Sequence, residues 1–507
     1  MLDVEDFDFD NREPLIPESL RKILVKFERS LLFLLFLAGF ALCYHTVLFI
    51  PYALPDDFVA MAASSSAMNS WNPFGPVGDR SVVTLLKQLS FLPVRTVADI
   101  RYVRALGVIG IALLALLVHR ALVDSGWGRG ASFFALIIAF TTPPFQVYAA
   151  YAAAASCLFS GAISAMAAWI LARSLAVDLK GRPLRRYGIV GCAVILLAVA
   201  LNTYPPTAMF FWVIAAIVFL KPETSLPDVT RRVGLFACVH AAAALLSAAV
   251  SGPLPATPPS DLFSLDKLLW FLRDPLLNAL NLFAIEPSVW LGSFVGVLLL
   301  VGMLLYFHGD DWSRLGKLSM AIAILFLVSL PILMTPKWSP YRVQPALFCL
   351  VVIYAFFALE GYIQLLRRFT AVVPTAVILF LPALTSCFLA SHNVWVNFVL
   401  PQAKELQWMR NQVNTKSLST ARSIYVIGSS WRDSIAPTLK YDEFGVPFSA
   451  AAYALKPAVD GVLRETRPEK ARISVEVASD DGSANPPPGA LVVDMRGIRT
   501  LKYSELE

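Results

Sequence analysis

Apolar stretches recur along the chain from Ser30 to Ala390, each closed by charged residues or Pro. Their length of about 17 to 25 residues is what a helix needs to cross about 30 Å of hydrocarbon. The pattern predicts about eleven transmembrane helices. They lie near Ser30 to Ile50, Tyr102 to Val123, Ala131 to Phe145, Ala152 to Leu175, Tyr187 to Tyr204, Thr207 to Leu220, Val233 to Ser251, Val289 to Phe307, Leu318 to Met334, Pro345 to Leu366 and Ala371 to Ala390. Before them, the tail 1–29 begins acidic (Asp3, Glu5, Asp6, Asp8, Asp10) and turns amphipathic and basic (Arg21, Lys22, Lys26, Arg29), the pattern of a short surface helix. Two long connections, Pro51 to Asp99 and Gly252 to Ser288, carry amphipathic stretches (Val82, Val83, Leu85, Leu86, Leu89; Leu262, Leu265, Leu268, Leu269) suited to the membrane surface. After Ala390 the pattern changes to a polar helix over Pro401 to Asn414, short strands at Ser423 to Ile427, Ile473 to Val477 and Leu491 to Asp494, and a loop over Ser479 to Gly489. The expected fold is therefore an all-α polytopic membrane domain over 30–390, followed by a small α/β extracytoplasmic domain over 391–507.

Composition sharpens this picture. With 57% hydrophobic and 15% charged residues and a mean hydropathy of +0.64, the chain holds more apolar surface than one globular core buries, which excludes a soluble enzyme. The net charge of +6 is gathered between spans, with no basic stripe interleaved with aromatics, which excludes a nucleic-acid binder. Arg173, Lys180, Arg182, Arg185 and Arg186 crowd one connection, whereas Pro143 to Tyr151 and Pro205 to Pro206 on the opposing side have no Lys or Arg. By the positive-inside pattern the N-terminus is cytoplasmic and the C-terminal domain lies outside, in the bacterial case in the periplasm against the inner membrane. The first apolar segment lacks a small-residue cleavage site and reads as a retained anchor. All six cysteines fall within apolar spans and imply neither a disulfide framework nor a zinc site.

Candidate chemistry lies on the outer side. Asp56 and Asp57 follow the first span directly; adjacent carboxylates at a membrane surface repel each other, which raises the pKa of one and suits it to accept a proton. An acidic loop with a helix N-cap accounts for them equally well. The turn-rich segment Trp71 to Arg80 offers Arg80, and Arg101 and Arg104 open the second span from the outside. Pro336 to Arg342 brings Lys337, Trp338, Tyr341 and Arg342 together, with cations able to hold a phosphate and aromatics suited either to a sugar ring or to the interfacial belt. Asn202 and Tyr204 end the fifth span beside Pro205 and Pro206. The run Gly126, Gly128, Gly130 follows no strand and reads as an inner turn.

In this order the residues resemble the GT-C superfamily of multi-pass glycosyltransferases, which use polyprenyl-phosphate sugars on the outer membrane face, and within it most resemble the O-antigen glucosyltransferase group. The resemblance rests on Asp56-Asp57, on a first outer loop with surface helices, and on Arg101-Tyr102-Val103-Arg104-Ala105-Leu106. Leu201 to Trp212 is similar to a signature of that group in which Gln follows Tyr; here Pro205 stands after Tyr204. Pro144 to Ser156 lacks the acidic residue of the protein-mannosyltransferase branch.

The resemblance implies transfer of a sugar, glucose in that group, from a polyprenyl-phosphate carrier to a glycan or lipid-linked acceptor by one inverting displacement. Asp56 or Asp57 would be the base. Arg104, Lys337 and Arg342 would clamp the phosphate, with Arg80 in reserve and Tyr204, Trp338 and Tyr341 against the substrate. No cofactor is assigned, and a divalent metal is left open. A transporter, flippase or polymerase of lipid-linked glycans is the rival reading. It would use the same cations, but a transporter or flippase needs no base.

Overall fold

The computed structural model of the protein describes residues 18–65, 81–176, 183–251, 264–367, 374–468, 473–478 and 486–500. Each predicted apolar segment is helical, yet the helices differ in reach. Six among the described residues are long and apolar enough to cross a membrane: Val97–Asp124, Ala152–Leu175, Leu226–Val250, Val289–Tyr306, Pro345–Leu366 and Thr375–Val413. A seventh crossing forms if Arg129–Phe140 and Pro143–Ala150, bent by 68°, count as one. The bend falls at Thr141, Thr142 and Pro143, where proline cannot donate to the preceding turn. The apolar parts Ser30–Cys43 and Tyr187–Thr203, within the longer helices Glu18–Cys43 and Pro183–Thr203, and the apolar stretch Pro205–Phe219 are shorter; at 1.5 Å per residue each apolar part spans less than about 30 Å. The helix Asp311–Val328 begins with Asp311, Arg314 and Lys317, which shortens its apolar part. By length and apolarity six helices, or seven with the bent pair, qualify as crossings among the described residues, against the expected count of about eleven.

Helix Thr375–Val394 does not stop where the composition changes at Ala390. It continues through a π-helical turn, Trp395–Val399, into Leu400–Val413. The C-terminal part is thus carried on a rigid extension of the last span. There β1 (Ser423–Ile427) lies between β2 (Ser474–Val477) and β3 (Ala490–Asp494) in a wholly parallel sheet. Parallel neighbours need a crossover, which the helix Ala452–Thr466 supplies between β1 and β2. A single apolar cluster joins Ile424, Val426, Val459 and Val462 of this part to Phe58 and Met61 of the connection after the first apolar helix and to Ile100 and Val103 of the second span. That connection is thereby fixed between the membrane helices and the sheet.

Helices form at Pro55–Ser65, which is largely buried, and at Ser81–Phe91 and Leu265–Arg273. In the last, Leu265, Leu268, Leu269 and Leu272 are exposed together, an apolar face suited to the outer interface.

Candidate active site

The two adjacent carboxylates part company because Pro55 starts a helix that turns their side chains in different directions. Asp57 is fully buried. Its Oδ1 accepts from the Ala153 N–H at 2.9 Å, and its Oδ2 accepts from the Leu54 N–H at 3.2 Å and from Arg104 at 3.3 Å. Burial raises the Asp57 carboxyl from its ordinary value, against the pull of Arg104 and the two N–H donors. Arg104, also fully buried, donates to the carbonyls of Ala150 at 3.0 Å and Tyr52 at 2.6 Å, and lies 3.5 Å from the centre of the Tyr52 ring. The pair ties the connection after the first apolar helix, the second span and the connection after Pro143–Ala150 into one unit. Arg104 reaches no surface from which a substrate could approach.

Asp56 remains partly exposed, and its Oδ1 accepts from the Tyr453 hydroxyl at 3.1 Å. Burial and the negative charge of Asp56 push the Tyr453 phenol up, with a further contribution from Asp442 against that of Arg342. Tyr453 therefore stands in the field of both halves of a cluster assembled across the chain.

The other half is built on Arg342. Its Nη1 and Nη2 donate to the two carboxylate oxygens of Asp442 at 3.0 and 2.7 Å, and Nη1 also reaches Glu443 at 3.3 Å. The guanidinium lies 5.4 Å from the centre of the Trp338 ring. Glu443 is enclosed and accepts the backbone N–H groups of Tyr341 and Arg342 at 2.6 and 2.9 Å. Burial pushes its carboxyl up to about 7, while Arg342 opposes the rise. The Arg342 carbonyl accepts from Tyr148 at 2.6 Å and Tyr204 at 3.4 Å. Tyr341 is buried, and its hydroxyl donates to the Ile285 carbonyl.

The structure thus gathers Tyr204, Trp338, Tyr341 and Arg342, and sets Asp56 in the same field through Tyr453. Lys337 stands apart in an exposed pair with Asp266. Arg80 lies outside the described residues, as do the whole of Trp71 to Arg80 and the loop 479–485. Asp442, Glu443 and Tyr453 were not legible as site residues. Asp442 and Arg342 are 100 positions apart, and no local pattern marks such a pairing. The only hint is a charged Asp-Glu pair enclosed by Tyr441 and Phe444, with Tyr441 and Gly445 both in the left-handed region. Among the described residues no group of three or more His, Cys, Asp or Glu side chains converges to hold a metal, and no metal site is assigned.

No protein-family model and no curated protein sequence matches the chain. Among solved structures it is similar to "ArnT from Cupriavidus metallidurans bound to Undecaprenyl phosphate", at 11% identity and a TM-score of 0.40, covering 88% of this chain and 89% of that one. That degree of superposition is too low to establish a common fold. What stands independently is a helical, multi-spanning membrane protein with a polar, aromatic-lined cluster where its membrane helices meet a small parallel sheet.

Proposed function

We propose that this chain transfers a hexose from a polyprenyl-phosphate carrier to a glycan or lipid-linked acceptor at the outer membrane face. The observation that carries the reading is the division of labour within Asp56-Asp57: one carboxylate is locked inside with Arg104, and its neighbour is partly exposed and accepts from Tyr453, a phenol that also lies in the field of Arg342. In the reaction Asp56 takes the proton of the acceptor hydroxyl as its oxygen bonds to the anomeric carbon. The bond from that carbon to the phosphate oxygen breaks, and the carrier phosphate leaves with the electron pair. General-base catalysis of this kind contributes about 10² to 10⁴-fold.

Arg342 is the proposed phosphate contact, by exchange of partners. Glu443, with no exposed side-chain surface, is its enclosed partner; Asp442, 36% exposed, holds the two-pronged position that a phosphate would take. Asp442→Asn should therefore tighten binding of polyprenyl phosphate, whereas Arg342→Lys, which cannot reproduce the planar fork, should weaken it.

The test is to incubate the purified protein in nanodiscs with polyprenyl-phosphate glucose and candidate acceptors, following release of polyprenyl phosphate. Turnover in the wild type and its loss in Asp56→Asn support the reading. Movement of intact donor across the bilayer without cleavage would replace it with a flippase.

A further inference from the structure

A cavity of about 600 Å³ lies just beyond Asp124, at the end of the second span opposite Arg104. It is walled by Trp127, Lys221, Glu223, Tyr306, Glu360 and Arg367, and it opens beside the glycine turn that the active-site reading leaves unused. Gly126 adopts a φ of +96° there, which turns the chain back into the helix Arg129–Phe140 and leaves open space where a side chain would stand.

Position, charge and walls agree on the kind of ligand. Along the second span, Arg104 and Asp124 are separated by about 30 Å at 1.5 Å per residue, which is the thickness of the hydrocarbon layer. A cavity just beyond Asp124 therefore sits at headgroup depth in the opposite leaflet. Its four charged side chains are two cations and two carboxylates, a pattern that matches a zwitterion better than a simple anion. Glu360 is poised as an acceptor: Thr375 donates to it at 3.3 Å, and Arg367 stands 3.6 Å away, at the loose end of ion-pair range. A phosphate can draw Arg367 and Lys221, leaving Glu360 and Glu223 for an ammonium. Trp127, stacked on Tyr306 and Phe357 at 5.8 and 5.0 Å, gives the rigid amphipathic wall that suits a glycerol backbone at the interface.

We infer that this cavity binds a phosphate carrying a primary ammonium, as the headgroup of an ethanolamine phospholipid in the leaflet opposite the active site. The inference goes beyond the transferase reading and does not depend on it. A primary ammonium donates hydrogen bonds to the two carboxylates, which a quaternary choline cannot do, and a glycerol headgroup brings no cation at all.

The delipidated full chain in detergent is offered phosphatidylethanolamine, phosphatidylcholine, phosphatidylglycerol or free phosphoethanolamine. Retained lipid is counted by native mass spectrometry, and the melting temperature is followed in parallel. Loss of one charge-assisted hydrogen bond corresponds to about tenfold in affinity, so the ethanolamine lipid should be retained about tenfold better than the choline lipid and should raise the melting temperature. Glu360→Gln should abolish that preference, whereas Arg367→Gln should lower retention of both lipids alike, each variant melting without lipid close to the wild type. If Glu360→Gln melts early, Glu223→Gln, at the second carboxylate, carries the test of the preference. Equal retention of ethanolamine and choline lipids, or preference for the glycerol lipid, overturns the inference. Equal stabilisation by phosphoethanolamine overturns the lipid assignment in favour of a soluble ligand.

Discussion

The carboxylate of Asp57 is enclosed with the Arg104 guanidinium, while that of Asp56 reaches the surface beside Tyr453, so substitutions at the two positions should fail in different ways. Asp57→Asn leaves a buried arginine without its counter-ion, a loss that typically costs about 3 to 5 kcal/mol. It should lower the melting temperature and expression. Asp56→Asn should melt like the wild type and bind donor normally, yet lose at least about 10²-fold in turnover. Thermal melting and single-turnover kinetics on both variants check this, and a stable, active Asp56→Asn protein would remove Asp56 as the base. Glu443 adds a pH signature. Its carboxyl is lifted from 4.5 to about 7 by burial, so the folded chain holds that proton more tightly than the unfolded one. The stability it contributes is greatest at low pH and is lost as pH rises from about 4.5 through 7. In Glu443→Gln this part of the pH dependence of melting should flatten; an unaltered profile would show that the group does not titrate there.

At the scale of elements, the helices Val289–Tyr306 and Pro345–Leu366 approach so closely that a side chain at Gly361 would meet the backbone of Gly302 and the Tyr306 nitrogen, the latter at 2.6 Å. Backbone cannot move aside as a flexible side-chain end can, so Gly361→Ala should force the pair apart and lower the melting temperature. Gly191, in the helix Pro183–Thr203, faces open space. Gly191→Ala should therefore be neutral or slightly stabilising, since alanine is the better helix former by about 1 kcal/mol. Equal melting of the two variants would contradict this packing. Small residues permitting close contact are the expected device between apolar helices, where lipid offers little hydrophobic drive for association. The continuous run from Thr375 to Val413 has a different use: it transmits the orientation of the last span to the sheet, so that Asp442 and Tyr453 are placed relative to Arg342 and Asp56 without a flexible linker.

For the whole molecule, orientation in the bilayer is the property on which the site's location depends. Arg432 in the C-terminal part and Arg314 at the start of Asp311–Val328 are both exposed. In a background where Cys192 and Cys238 are replaced by Ala, Arg432→Cys should react with a membrane-impermeant thiol reagent added to intact cells or spheroplasts, and Arg314→Cys should react only after permeabilisation. The opposite labelling would move the proposed chemistry to the cytoplasmic face.

The sequence by itself determined that the chain lives in a membrane, which segments are apolar helices, and where the small strands lie, because burial in lipid or in a sheet imposes a local period of apolar residues. The strands at Ser423–Ile427, Ser474–Val477 and Ala490–Asp494 differ from their expected ends by at most a residue for that reason. It also brought Asp56, Asp57 and Arg342 into view, because charge at a membrane boundary is conspicuous. Only the tertiary structure decided how many helices are long enough to cross, since breaks at Tyr44, Thr141 and Tyr204 depend on how neighbouring segments pack. Only it separated Asp56 from Asp57, which one helical turn directs to different surroundings. The pairing of Arg342 with Asp442 and Glu443, and of Asp56 with Tyr453, joins residues far apart in the chain. Such contacts are set by the docking of the C-terminal sheet on the connection after the first apolar helix through a shared apolar core, and no local pattern encodes that docking.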